Sequence, residues 1–93
     1  GMAVRVVVKE AFDFYSAGAE RIVAVCDDAV AQAMRIYFRA THNVAEGAGA
    51  AALAAALQER SAIAGKNIGV ILSGCNVDSD IFASVLQGHT PGV

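Results

Sequence analysis

Residues 46–58 consist almost entirely of glycine, alanine and leucine, and this stretch constrains the fold more than any other part of the chain. Alanine has the highest helix propensity of all residues, so the stretch predicts a helix. A helix that lacks a polar face is typically a buried helix, and we expect this one to be covered on most sides. Its small side chains allow neighbouring elements to approach closely.

The segments around this helix alternate between strand-like and helix-like patterns. Runs of apolar, largely β-branched residues predict strands, the first of which could also be a plain extended segment, at residues 4–8, 21–26 and 68–72. Apolar residues at helical spacing, with aspartates placed to cap two of the starts, predict helices at residues 9–17, 29–39 and from Asp78 or Ser79 to residue 86. This order indicates an α/β fold with a partial, largely parallel sheet flanked by helices.

No linker or repeat divides the chain, so residues 1–93 are predicted to form a single segment that ends in a tail at residues 87–93. The chain is 56% hydrophobic and only 17% charged, which is apolar for its length and indicates surface that something else covers. A net charge of -2 with scattered basic residues argues against a nucleic-acid partner. Without a signal peptide or a membrane-spanning stretch, we expect a cytoplasmic protein that does not bind membranes.

Several residues could carry chemistry, and each also has an ordinary structural interpretation. Residues 47–52 match the nucleotide-binding pattern G-x-G-x-x-A, but no useful strand precedes them, so tight helix packing is favoured. His42 could act as a general base with Glu46 four residues on, yet a lone histidine at a helix boundary more often caps or packs. Neither motif alone predicts an active site.

The acidic and thiol side chains have similarly ordinary explanations. Cys26 and Cys75 are far apart and predict free thiols, although Cys75 at the start of a helix could be a nucleophile. Asp78 and Asp80 could bind a hard cation, but aspartates in a first helical turn are favoured there by capping and by the helix dipole. We therefore expect no metal site.

Ser73 and Gly74 follow directly after the apolar run at residues 68–72. In open parallel sheets, ligands bind beyond the carboxyl ends of the strands, where the Ser73 hydroxyl would lie and where Gly74 would allow close approach. An ordinary turn with a hydroxyl-to-backbone hydrogen bond explains the same residues equally well. Position alone leaves both interpretations open.

Two motifs taken together resemble a known family. The sequence Glu-Gly-Ala-Gly-Ala at residues 46–50 and the sequence Ser-Gly-Cys-Asn at residues 73–76 resemble the C-terminal part of the threonine and serine dehydratases. These are fold-type II pyridoxal-phosphate-dependent enzymes, and serine racemase is a close relative. The resemblance implies that the chain is the C-terminal portion of the large catalytic domain of such an enzyme, with pyridoxal phosphate as its cofactor.

The resemblance also implies roles for three cofactor-binding residues. Ser73 would hydrogen-bond the pyridine nitrogen, Gly74 would pack at the ring edge, and Glu46 would support the pocket. A hydroxyl leaves that nitrogen essentially neutral, whereas a carboxylate would keep it protonated and make the ring a stronger electron sink. Elimination of a β-hydroxyl group requires less electron withdrawal by the cofactor ring.

The implied activity of the intact enzyme is the conversion of threonine or serine to a 2-oxo acid and ammonia. Serine racemase and hydroxyaspartate ammonia-lyase are alternatives on the same scaffold, and a stand-alone, non-catalytic α/β oligomerisation or interaction module is the alternative of a different class. The expected partners are the missing N-terminal part of the catalytic domain, a small amino-acid substrate and further copies of the chain in a homo-oligomer.

The chain departs from the family pattern in two respects. Cys75 stands where the family commonly has glycine or alanine. Neither the Ser-Phe-Lys type motif, which carries the Schiff-base lysine, nor the glycine-rich phosphate loop occurs in the sequence. We therefore expect no catalytic residue in this chain, and no activity from the chain alone.

Pyridoxal phosphate added to the 93-residue chain is expected not to attach covalently, because Lys9 and Lys66 lack the sequence context of the family's lysine. An absorbance spectrum of the mixture tests this. A long-wavelength Schiff-base band that disappears on treatment with borohydride would identify an attachment lysine within the chain and contradict the prediction.

Overall fold

Five helices make up the regular structure of the chain, for which a computed structural model describes residues 2–92. The helices are α1 (Lys9–Gly18), α2 (Asp27–Thr41), α3 (Gly47–Gln58), α4 (Arg60–Ile63) and α5 (Ser79–Leu86). α2 packs along α3, and α5 lies against α2. The sequence predicts four of these helices to within two residues at each end. The short α4 is not predicted.

The ends of α2 follow from its sequence. Asp27 and Asp28 lie in the first turn, where negative charge interacts favourably with the helix dipole, and Cys26 occupies the capping position before them. At the other end His42 adopts a left-handed conformation, with φ of 58°, and its N–H donates to the Phe38 carbonyl oxygen at 2.8 Å. The prediction that His42 ends a helix is confirmed.

The core lies between α2, α3 and α5, and alanine is its commonest residue. Its buried members are Val30, Ala31, Ala33, Met34, Ala45, Ala50, Ala54 and Val85. On α3, however, Ala52 is exposed and Leu53 and Leu57 are only half-buried. The expectation that this helix is covered on most sides is therefore not met within the described residues, because only Gly49, Ala50 and Ala54 of α3 are buried.

The three segments predicted as strands form no strand within residues 2–92. Residues 4–8, 21–26 and 68–72 are non-helical, and they make no ladder of backbone hydrogen bonds. Several of their apolar side chains face outward, with Val6 79% and Ile71 77% exposed. A strand requires a hydrogen-bonded neighbour, and the described part of the chain supplies none. The helices of the predicted α/β arrangement are present, whereas residues 2–92 form no partial parallel sheet.

Few contacts attach the N-terminal part of the chain to the helical core. No residue of α1 is buried. Arg21 forms an ion pair with Glu59 just beyond α3, with Arg21 Nη1 2.6 Å from Glu59 Oε1. The hydrogen bonds from Arg21 lower the pKa of the Glu59 carboxyl, and the same bonds raise the pKa of the Arg21 guanidinium. Gln58 Nε2 also donates to the Ala24 carbonyl oxygen at 3.2 Å.

The chain reverses after α5 at a glycine. Gly88 has a φ of 100°, a backbone conformation that favours glycine. The His89 N–H donates to the Ser84 carbonyl oxygen at 3.1 Å, and the Gly88 N–H donates to the Val85 carbonyl oxygen at 3.0 Å. These two bonds form the Schellman arrangement that ends many helices.

The segment predicted as a tail returns to α2. The Thr90 hydroxyl donates to Asp28 Oδ1 at 2.5 Å, and Thr90 and Pro91 are partly buried. Val93, the last residue of the predicted tail, lies outside the described residues, as does Gly1. No helix within the described part of the chain is both long and apolar enough to span a membrane.

Replacing Val85 by alanine is expected to lower the free energy of unfolding by about 2 kcal/mol, because two buried methyl groups are lost and a cavity remains. Val85 is 0% exposed. Urea denaturation followed by circular dichroism measures the change. Val6→Ala removes the same atoms from an exposed side chain and is expected to change stability by less than about 0.5 kcal/mol. Equal effects of the two substitutions would contradict the placement of Val85 in the core.

Candidate cofactor site

The two sequence motifs that resemble the dehydratase family lie in direct contact. Residues 46–50 form the start of α3, and residues 73–76 follow the extended run at residues 68–72. The Glu46 N–H donates to the Gly74 carbonyl oxygen at 3.1 Å. Segments that are well separated in sequence are thus joined at this point by a backbone hydrogen bond.

Two glycines make this contact possible. Gly49 is buried in the first turn of α3, and a β-carbon on it would overlap the carbonyl oxygen of Gly74. A β-carbon on Gly74 would in turn overlap Oε1 of Glu46 and lie 3.1 Å from Glu46 Cδ. Atoms this close leave no room for a side chain on either glycine unless a neighbour moves.

Glu46 occupies the capping position of α3, and its side chain makes no capping hydrogen bond there. The carboxylate instead lies against Gly74, at a half-buried position. A negative charge near the start of a helix is favoured by the helix dipole. Of the three predicted cofactor-binding residues, Glu46 and Gly74 are therefore in contact, and Ser73 directly precedes Gly74.

Ser73 is exposed, and its hydroxyl has no hydrogen-bond partner within residues 2–92. The interpretation of Ser73 as an ordinary turn residue requires a hydrogen bond from this hydroxyl to the backbone, which is not formed. A hydroxyl that is free in this way can donate to a ligand atom. The cofactor-binding role of Ser73, Gly74 and Glu46 remains a prediction that their arrangement fits.

The nucleotide-binding interpretation of residues 47–52 finds no support. These residues lie inside α3, and no strand precedes them in the described part of the chain. The glycines contact protein atoms instead, since a β-carbon on Gly47 would lie 3.6 Å from Val30 Cγ1 and one on Gly49 would overlap Gly74. Tight packing, the alternative explanation, accounts for Gly49, whereas a side chain on Gly47 would make only ordinary contact.

The remaining candidate residues take ordinary positions. The His42 ring packs edge-on against Phe38, with the centroids 6.2 Å apart. Cys26 and Cys75 are exposed free thiols. Asp78 occupies the capping position of α5 without a side-chain capping bond, and Asp80 lies in the first turn. Within residues 2–92, no three potential metal ligands come together.

Sequence reasoning did not identify Gly49 as a site residue. The available signal was a glycine inside a helix of alanines, where glycine costs about 1 kcal/mol relative to alanine. Such a cost indicates a local reason for the absence of a side chain, and the Gly74 backbone provides that reason.

Comparison with known proteins agrees with the resemblance. The family described as pyridoxal-phosphate dependent enzyme matches residues 1–74, which include Glu46, Gly49, Ser73 and Gly74. The chain belongs to this family. It is also 34% identical over 67 residues, or 72% of its length, to a protein of Sinorhizobium fredii that is provisionally named a threonine dehydratase. The match covers 20% of that relative, so the chain spans about one fifth of its length. No solved structure matches the chain.

The family match confirms two expectations from the sequence. The resemblance to fold-type II pyridoxal-phosphate enzymes is confirmed, and the cofactor of the family is pyridoxal phosphate. The family implies an α/β fold, of which the described residues form the helical part.

Replacing Ser73 by alanine is expected to change the free energy of unfolding of the chain by less than about 0.5 kcal/mol, because the hydroxyl has no protein partner to lose. Thr90→Val also removes a hydroxyl, but it breaks the bond to Asp28 and is expected to cost about 1 kcal/mol. Urea denaturation of the two variants measures both effects. A cost for Ser73→Ala as large as that for Thr90→Val would show that Ser73 is a structural turn residue.

Proposed function

We propose that this chain contributes the pyridine-binding edge of a pyridoxal-phosphate-dependent threonine or serine dehydratase, an ammonia-lyase that converts a hydroxy amino acid to a 2-oxo acid and ammonia. One observation carries the proposal: the free, exposed hydroxyl of Ser73, which adjoins the Glu46–Gly74 contact. The family match supports the cofactor, and the name of the Sinorhizobium fredii relative supports the reaction.

The residues present fit one end of the cofactor. Ser73 would hold the pyridine nitrogen through its hydroxyl, which is available as a donor because no protein atom accepts from it. When bound, pyridoxal phosphate supplies an electron sink for bond cleavage at the α-carbon of an amino acid. A neutral hydroxyl at this position would leave the nitrogen unprotonated, which suits elimination of a β-hydroxyl group.

Glu46 would act in support of this hydroxyl. Its N–H holds the Gly74 carbonyl oxygen, and its carboxylate covers the α-carbon of Gly74, so both groups fix the residue that follows Ser73. No residue of this chain is proposed to move the substrate proton, because the lysine and the phosphate loop of the family's motifs are absent from the sequence.

The uncovered apolar surface supports the proposal that the chain is the C-terminal portion of a larger catalytic domain. Residues 4–8, 21–26 and 68–72 are non-helical and unpaired within the described residues, and Ala52 of α3 is exposed. In the proposed intact enzyme, these segments would pair with strands from the rest of the domain in a parallel sheet. Helices on both faces of that sheet would then bury their apolar side chains. The lysine and the phosphate loop would lie in that other part.

The same exposed surface favours a second candidate, a non-catalytic α/β module that covers its apolar segments by forming a homo-oligomer. Serine racemase differs from the proposed dehydratase in its reaction and hydroxyaspartate ammonia-lyase in its substrate, and both would use the same residues of this chain. Ammonia release, racemisation and assembly are measured separately, and these measurements distinguish the candidates.

The protein encoded by the complete reading frame around this chain is expected to bind pyridoxal phosphate and to release ammonia from threonine or serine. Ser73→Ala should weaken cofactor binding about threefold to tenfold, as expected for the loss of one hydrogen bond. Ser61→Ala, at an exposed serine of α4, is the matched control and should have no effect.

Three other outcomes would contradict this proposal. Racemisation without ammonia release would assign the protein to the racemases. Ammonia release from hydroxyaspartate alone would change the substrate. Concentration-dependent assembly in sedimentation experiments, together with a failure to bind the cofactor, would instead support the non-catalytic module.

A further inference from the structure

We infer that Gly49 is a positioning residue that sets the location of the Ser73 hydroxyl through the backbone of Gly74. The inference rests on the proposed function of Ser73. It adds Gly49 of α3 to the candidate site. Gly49 contributes to the site because it has no side chain.

The contact at Gly49 is made with backbone atoms. A β-carbon there would overlap the Gly74 carbonyl oxygen and lie 3.0 Å from the Gly74 nitrogen and 3.1 Å from its carbonyl carbon. A backbone cannot rotate aside as the end of a side chain can. Any side chain at position 49 therefore displaces Gly74, and Ser73 moves with it because the two residues share a peptide bond.

The other glycines nearby differ in this respect. A β-carbon on Gly47 would make ordinary contact with Val30 Cγ1 at 3.6 Å, and one on Gly69 would meet open space. One on Gly74 would meet the carboxylate of Glu46, which is the far end of a flexible side chain and can swing away. Of these four glycines, Gly49 alone faces main-chain atoms that belong to the other motif.

The Gly74 carbonyl group is held from two directions. The Glu46 N–H donates to its oxygen at 3.1 Å, and the α-carbon of Gly49 lies against the same group. Both residues belong to the start of α3, which is fixed in turn by the burial of Ala50 and Ala54 against α2. The first turn of α3 thus acts as a template for the segment that carries Ser73.

The first test measures amide hydrogen exchange of Glu46 in the 93-residue chain by NMR. Gly49→Ala should lengthen the bond to Gly74 and speed exchange of the Glu46 amide about tenfold or more. Gly47→Ala is the matched control, because it makes the same substitution two residues earlier in the same turn, and it should leave that exchange rate unchanged. Equal rates in the two variants would overturn the inference.

If Gly49→Ala does not fold, a second pair of variants tests whether the backbone at the start of α3 positions the Ser73 segment. Glu46 has a φ of -75°, which lies within the range of proline, so Glu46→Pro removes the N–H donor without changing this angle. Glu46→Ala removes the carboxylate and keeps the donor. A larger change in the Ser73 amide chemical shift in the proline variant than in the alanine variant supports the backbone template, and the reverse order overturns it.

The final test is a double-mutant cycle in the intact protein, with the dissociation constant of pyridoxal phosphate as readout. If Gly49 acts through Ser73, Gly49→Ala and Ser73→Ala should each weaken binding about threefold to tenfold, and the double variant should be no weaker than the weaker single variant. Gly47→Ala should bind like the unsubstituted protein.

Multiplied effects in the double variant would show that Gly49 acts independently of Ser73, and would overturn the inference while leaving the proposed function intact. If Ser73→Ala binds the cofactor as tightly as the unsubstituted protein, the proposed role of Ser73 fails, and the positioning role of Gly49 fails with it. The two failures are therefore distinguishable.

Discussion

The packing of α2 against α3 through alanine side chains is the interaction on which the rest of the structure depends. Ala31 and Ala33 on α2 and Ala50 and Ala54 on α3 are all buried. Side chains this small let two helices approach closely, but each removes little apolar area from water. The helix pair is therefore well defined in geometry and limited in stability.

This helix pair also determines the candidate site. The first turn of α3 faces α2 through its alanines and faces the Ser73–Gly74 segment through Gly49 and the N–H of Glu46. Core packing and site geometry are thus coupled within a few residues of one helix. A change that rotates α3 would displace the Ser73 segment even if it touched no residue of that segment.

The sequence predicts the helices well because their signals are local: apolar residues at helical spacing, aspartates near the starts, and His42 at the end of α2. Strands form only where a neighbouring strand is available for hydrogen bonding. The strand-like pattern at residues 68–72 therefore does not lead to a strand within the described residues. The bond from Thr90 to Asp28 and the contact of Gly49 with Gly74 were missed for a related reason, since no local pattern states which distant segments meet. The proximity of Glu46 to Ser73 was predicted only through the resemblance.

The exposed, unpaired segments described above have a consequence for how the chain behaves in solution. α2 and α3 are joined by a short connection, so they can pack early, while residues 4–8 and 68–72 still present β-branched side chains and open backbone donors and acceptors. Exposed edges of this kind pair readily with one another. Pairing of these segments between copies is therefore expected to lower the yield of monomeric chain as its concentration rises.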